Sequence, residues 1–198
     1  YIRLNQFNGN AVDKVAEAIA NAEKQHVAGY VLDLRGNPGG LLRAGIEIAQ
    51  MWLSDATIVY TIDRNGVQDS ARATDHRLTA APLAVLVDRG SASASEVLAG
   101  ALQDNHRAVL VGTRTFGKGS IQSLFELSDG SGMAVTIAKY MTPAKHDINK
   151  LGIAPDVTVE LPEGELLARD RVATAGDRQF VRALEALQQM RDPSLNAA

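Results

Sequence analysis

The residues best suited to chemistry in this sequence are one serine and one lysine, each set among small neighbours. Ser93 lies in Asp88-Arg89-Gly90-Ser91-Ala92-Ser93-Ala94-Ser95-Glu96, where a strand-like run gives way to a helix-like one. A hydroxyl at a helix N-terminus faces free backbone N–H groups and the positive end of the helix dipole, and both favour a developing anion. The same serines would also serve as plain helix caps, since serine is a preferred residue there. Lys118 stands between Gly117 and Gly119, at the mouth of a strand-like segment. Glycine on both sides permits close backbone approach, so the lysine can turn inward, where burial disfavours its charged form and suits it to act as a base. An isolated loop lysine, by contrast, is usually solvated. The third segment is the turn Arg35-Gly36-Asn37-Pro38-Gly39-Gly40, which leads into a helix from Leu41. An amide of Gly39 or Gly40, together with that of Ala94, would make a two-donor oxyanion hole, although glycines equally suit a tight strand-to-helix turn. Together the three segments fit acyl transfer by a serine whose proton an amine removes.

Elements that must position these residues follow from periodicity and punctuation. A strand-like opening at Tyr1-Ile2-Arg3-Leu4 precedes a helix capped by Asn10, with Val12, Val15, Ala16, Ile19 and Ala22 at helical spacing and an end near His26. Tyr30-Val31-Leu32-Asp33-Leu34, Leu83-Ala84-Val85-Leu86-Val87 and Ala108-Val109-Leu110-Val111 are short, nearly continuous apolar runs, as expected of strands buried on both faces. Helices are expected from Leu41 and over 93–103. Segments 57–63 and 67–72 flank Asn65-Gly66 and predict a β-hairpin. A second hairpin is predicted from the alternation of Ile121, Ser123, Phe125 and Leu127, the Ser128-Asp129-Gly130 turn, and Met133, Val135, Ile137 and Lys139. From Pro155 the expectation is a short strand, a Pro/Glu-rich surface stretch, a helix over 177–190 with Phe180, Val181, Leu184 and Leu187 on one face, and a frayed tail over 191–198. The pattern is α/β, and a chain of 198 residues without internal repeats reads as a single domain over 1–198.

Composition removes several classes. A net charge of −3 with interspersed signs and no Lys/Arg run leaves no footprint for a nucleic acid or an anionic membrane surface. The chain contains no cysteine, which excludes disulfides and thiol chemistry, and no apolar stretch approaches the roughly 18 residues of a membrane span. Gly112-Thr113-Arg114-Thr115-Phe116-Gly117-Lys118 matches the first part of a phosphate loop, yet Gly119 stands where Ser or Thr should follow, and a strand-like segment where that loop requires a helix. His26, His76, His106 and His146 sit in polar or loop-like contexts, no GxSxG, SxxK or HExxH pattern is present, and no two histidines share a helix face at ligand spacing.

Taken together, Ser91-Ala92-Ser93-Ala94-Ser95-Glu96, Thr115-Phe116-Gly117-Lys118-Gly119 with Gln122, and Leu34-Arg35-Gly36-Asn37-Pro38-Gly39-Gly40 resemble the C-terminal processing peptidases, also called tail-specific proteases. The lysine falls 25 residues after the serine and the glutamine four after the lysine, and Gly152-Ile153-Ala154-Pro155-Asp156 resembles the segment after the family's last core strands, so the likeness covers roughly 1–160. It implies a crotonase-like α/β fold, a spiral β-sheet core with helices and added hairpins. It implies Ser93 as nucleophile, Lys118 as base, Gln122 as the residue orienting the lysine, Ser91 and Ser95 as structural, and Asp104 as an auxiliary acidic position that is equally a solvated helix end. Substrates would be protein or peptide tails, no metal or organic cofactor would be needed, and members are typically exported to a periplasm, cell exterior or thylakoid lumen. The family's usual PDZ domain, which binds tails by strand addition, is not expected within 1–198. A peptide-binding module without activity and a crotonase-like acyl-CoA enzyme remain alternatives, since both would share the glycine turn.

Overall fold

The structure, a computed structural model, describes residues 1–161 and 171–192. Five strands, β1 (Ile2–Arg3), β2 (Tyr30–Asp33), β5 (Leu83–Val87), β6 (Val109–Gly112) and β9 (Val157–Thr158), form an all-parallel sheet in the order β1-β2-β5-β6-β9. Four others, β3 (Thr57–Asp63), β4 (Gly66–Arg72), β7 (Ser120–Glu126) and β8 (Gly132–Met141), form an antiparallel sheet in the order β4-β3-β8-β7. Among the described residues the helices are α1 (Ala11–Lys24), α2 (Leu42–Gln50), α3 (Ala94–Asp104) and α4 (Arg178–Arg191).

β2 and β5 are buried along their whole length, which explains their unbroken apolar runs: parallel strands with both faces covered have no solvent side to alternate toward. Leu32, Leu83, Val85, Val87 and Leu110 point into one core with α1, α2 and α3, while Val31, Ala84, Leu86 and Val111 point the other way, against Ala183 and Leu187 of α4. Each fully buried Leu, Ile or Val contributes roughly 1.5–3 kcal/mol, so the central strands give the site a well-packed platform. α3 is buried from Ala94 through Leu102, and its start is a fixed point between sheet and helices.

Several expectations shift. Asn10 is the N-cap of α1, but its side chain makes no capping bond; its own N–H is held by Asn8 Oδ1 at 3.1 Å. The first hairpin turns at Arg64-Asn65, with Gly66 at φ +110° as the first residue of β4, because the positive-φ position after a two-residue turn falls to the glycine. On α4 the buried face is Gln179, Ala183, Ala186 and Leu187, whereas Leu184 is 40% exposed. Two alanines let the helix approach the sheet closely, and the 3- and 4-residue spacing from them leaves Leu184 outside. The Pro/Glu-rich stretch lies mostly outside the described residues, as does the tail beyond 192; Arg191 still belongs to α4.

Candidate functional site

Ser93 is the N-cap of α3, at the end of the turn that follows β5, with φ +57° and ψ −116°. A non-glycine residue held at such angles costs of order 1–3 kcal/mol and persists only where its surroundings impose it. They do so through its two neighbouring serines. Ser91 is fully buried, its hydroxyl donating to the Leu34 carbonyl at 2.8 Å and accepting from the Asp88 amide at 3.0 Å. Ser95, equally buried, donates to the Asn37 carbonyl at 2.9 Å, and the Ala92 amide donates to that same oxygen at 3.0 Å. Both flanking serines are thus structural, sewing the turn after β5 to the turn after β2. Ser93, half-buried between them, donates its hydroxyl proton to no protein acceptor among the described residues.

The turn 35–40 completes the floor. A Cβ on Gly39, which lies at φ +95°, would fall 2.6 Å from the Ala92 oxygen, 2.9 Å from Ser93 Cβ and 3.0 Å from the Ala94 nitrogen, so only glycine allows this approach. Asn37 is fully buried; its Nδ2 donates to the Leu4 carbonyl at 2.7 Å and its Oδ1 accepts the Gly39 N–H at 2.9 Å. The amides of Gly40 and Ala94 donate to no acceptor among the described residues. Of the two candidate glycines, then, Gly39 touches the serine but has its N–H engaged, and Gly40 has its N–H unengaged.

A residue given no role in the sequence reading ties the pieces together. Glu96, fully buried on the first turn of α3, accepts four hydrogen bonds: from the Ser93 amide (2.9 Å) and the Lys118 amide (2.8 Å) at Oε2, and from the Gly117 amide (2.7 Å) and Thr115 Oγ1 (2.6 Å) at Oε1. One oxygen bridging the serine and lysine backbones keeps their nitrogens within about 6 Å of one another. The Ser-x-x-Glu spacing of 93 and 96 is the capping-box signature and was the available signal. Thr115 Oγ1 accepts from the Ile153 amide at 2.7 Å, and the Phe116 amide donates to Ser91 O at 3.0 Å. The glycines beside Lys118 behave as expected: a Cβ at Gly117 would come 2.9 Å from the Lys150 carbonyl carbon, and one at Gly119 2.5 Å from the Asn149 nitrogen.

Lys118 itself departs from expectation. Its backbone is strapped beside Ser93, but its side chain is exposed, and no hydrogen bond joins it to the Ser93 hydroxyl among the described residues. The close-packed backbone of 148–152 occupies the space around its glycines, and the side chain is exposed among the described residues. Gln122 is exposed on β7, next to a register shift between Ile121 and Gln122, and is not brought to the lysine by any hydrogen bond among the described residues. Asp104 lies at the other end of α3, about 16 Å along the helix axis from Ser93. There it accepts the Ala144 amide at 2.7 Å and stands 4.0 Å from His146 Nδ1, holding a loop rather than the site. All four histidines are exposed. A strand, β7, follows Gly119 where a phosphate loop needs a helix.

Beneath the glycine turn lies a buried ionic cluster. Arg35 donates Nε and Nη2 to the two Asp33 oxygens (2.9 and 2.7 Å), and Nη1 and Nη2 to the two Asp177 oxygens (2.9 and 2.8 Å). Burial works to raise the Asp177 carboxyl, but hydrogen bonds from Arg35 and the Phe180 amide outweigh it and hold the group below the ordinary carboxylate range. Tyr1 donates its hydroxyl to Asp33 Oδ2 at 2.6 Å, and burial, reinforced by that bond, pushes the phenol up to about 12.

A parallel sheet covered on both faces, with a serine at the strand-to-helix turn and a lysine strapped beside it by one carboxylate, defines an α/β protein with a serine-and-lysine candidate site. The chain belongs to peptidase family S41, whose description matches residues 1–159. It is 58% identical over 187 residues to the carboxyl-terminal-processing protease of Synechocystis sp., covering 94% of this chain and 43% of that protein. It is 56% identical over 159 residues to carboxyl-terminal-processing peptidase 3, chloroplastic, of Arabidopsis thaliana, covering 79% of this chain and 31% of the relative. The solved structure of a photosystem II D1 C-terminal processing protease superposes with a TM-score of 0.82 at 46% identity, over 91% of this chain and 47% of that one. The chain therefore spans less than half the length of these relatives. Among the described residues no helix is long and apolar enough to cross a membrane.

Proposed function

We propose that this chain is the proteolytic core of a serine endopeptidase that cuts protein substrates near their C-terminal tails, with Ser93 as nucleophile and Lys118 as general base. The observation that carries the reading is the Glu96 bridge: one buried carboxylate oxygen holds the Ser93 and Lys118 amides at 2.9 and 2.8 Å. It is supported by the strained backbone of Ser93 and by the names of the relatives, which are carboxyl-terminal-processing proteases.

In the proposed reaction the Lys118 side chain swings toward Ser93 and, in its neutral form, takes the hydroxyl proton while Oγ attacks the scissile carbonyl carbon. Amides of Ala94 and of Gly39 or Gly40 hold the oxyanion; Gly39 can serve once its N–H leaves Asn37. The lysine ammonium then protonates the leaving amine, and water, deprotonated by Lys118, hydrolyses the acyl-enzyme. Gln122 orients the lysine in this scheme, and Asp104 has no part in it. No step draws on a metal or an organic cofactor. A crotonase-type spiral core, and an exported setting such as a thylakoid lumen or periplasm, belong to the same proposal.

The test is labelling by a serine-directed acylating agent together with hydrolysis of peptides bearing free or blocked C-termini. Labelling should vanish in Ser93→Ala, and Lys118→Ala should abolish turnover while keeping the melting profile. Full turnover by Lys118→Ala, or labelling that survives Ser93→Ala, overturns the assignment; equal cleavage of free and blocked peptides removes the tail preference.

A further inference from the structure

We propose that Asp177, at the start of α4, is a positioning residue of the Ser93 site: through Arg35 it holds the turn 36–40 against the nucleophile turn. This rests on the Ser93 reading above and extends it to a residue beyond the stretch that the family description matches, which ends at 159.

The link can be followed atom by atom. Both Asp177 oxygens accept from the Arg35 fork, and each takes a second hydrogen bond from the chain around it, Oδ1 from the Phe180 amide at 3.1 Å and Oδ2 from the Ala173 amide at 3.2 Å. All four acceptor positions of the carboxylate are filled, so it has one orientation. Arg35 is equally constrained, since Asp33 takes its other edge and Gln179 Oε1 accepts from Nη1 at 3.0 Å. The backbone on either side of Arg35 then grips the nucleophile turn: the Leu34 carbonyl accepts from Ser91, and the Asn37 carbonyl accepts from Ser95 and from the Ala92 amide. Ser91 and Ser95 flank Ser93, and Gly39 lies against Ser93 Cβ.

Anchoring α4 does not by itself require this arrangement. Ala183 and Leu187 already pack the helix on Val31, Ala84, Leu86 and Val111. A buried ion pair is a weak source of stability compared with apolar packing of the same volume; what a bidentate guanidinium adds is fixed geometry. Here the fixed object is the residue that opens the glycine turn.

The experiment compares the chain with Asp177→Asn, reading steady-state turnover on a cleavable peptide, the melting midpoint, and hydrogen exchange resolved by peptide. Asparagine keeps the shape but turns an N–H₂ toward one arm of the guanidinium. Turnover is expected to fall about ten- to hundredfold with KM changed less than about threefold, as for a small misplacement of reacting groups, measured well below the variant's midpoint. Exchange should quicken in 34–40 as well as in 178–191. If exchange rises only in 178–191, or if turnover is unchanged while the parent cleaves, Asp177 merely anchors the helix and the proposal is wrong. Should Asp177→Asn fail to fold, Gln179→Ala decides instead, because it removes one acceptor of Arg35 and leaves both carboxylates; a smaller fall in turnover with quicker exchange in 34–40 is expected, and parental values for both refute the link. A parent chain that neither cleaves nor labels would sink the protease reading, and the exchange data alone would then judge the link.

Discussion

Replacing Glu96 by glutamine would keep the volume of the side chain and remove its charge, which isolates what the four hydrogen bonds do. At Oε2 both partners are backbone N–H groups, of Ser93 and Lys118, so an amide nitrogen placed there would face two donors. At Oε1 the partners are the Gly117 N–H and the Thr115 hydroxyl, and only the hydroxyl can turn round to accept. The least damaging orientation therefore points the new N–H₂ at Oε1, strands the buried Gly117 N–H and weakens the remaining bonds by removing the charge. Losing a charge-assisted hydrogen bond costs about 1.5–3 kcal/mol and stranding a buried donor about 1–3 kcal/mol, so Glu96→Gln should destabilise the chain by about 2.5–6 kcal/mol. For a domain of this size that is a fall in Tm of roughly 5–24 °C. Glu96→Ala frees all four donors and unties the lysine strap from the serine turn, and turnover should drop about a hundredfold or more at a temperature where the variant is folded. Thermal unfolding by circular dichroism and peptide hydrolysis measure the two effects. A Glu96→Ala variant with parental turnover and a midpoint within about 1 °C of the parent would refute the view that this carboxylate organises the site.

Ser93→Gly should stabilise the fold by about 1 kcal/mol, seen as a rise in Tm, because glycine relieves the backbone at φ +57°, and it should eliminate acylation; a lower midpoint would mean the serine is not strained. Asp104→Ala should lose the cap on the Ala144 amide, cost about 1 kcal/mol, and leave turnover within about twofold, whereas a large loss of turnover at unchanged stability would restore Asp104 to the chemistry. At the alkaline end, Tyr30 is raised to about 12 by burial and by its hydrogen bond to Glu23. A raised folded pKa means that the neutral phenol favours the fold fully below about 10 and that this stability drains away as pH climbs from there toward about 12. Denaturant midpoints should fall over that window, and the slope should be shallower in Tyr30→Phe.

How much of this was legible beforehand depends on how far apart the interacting groups lie. The runs 30–34, 83–87 and 108–111 declare themselves as buried strands because apolar continuity is a property of a few neighbouring residues, and Ser93, Lys118 and the glycine turn stand out as candidates because a reactive residue set among small or glycine neighbours is a local pattern. Even the miss on Leu184 was small, a rotation of one helix face set by where two alanines fit.

Burial of charge was a different matter. The capping-box spacing of Ser93 and Glu96 signals one of its bonds, but not that it will leave water, since three of the four groups that compensate it come from 115 to 118 across a strand and two turns. Arg35 meets Asp177 across 142 positions. A lone buried carboxylate or guanidinium is prohibitively costly, and a fully partnered one is tolerable, so whether such a residue is inside is decided only when the chain has closed on itself and supplied the partners. The same holds in reverse for Lys118, whose glycine neighbours fit an inward turn but whose side chain is exposed among the described residues. Residue types and their order determined the elements, the turns and the reactive candidates; the tertiary structure alone determined which polar groups are withdrawn from water, because desolvation has to be compensated by atoms that only folding brings within reach.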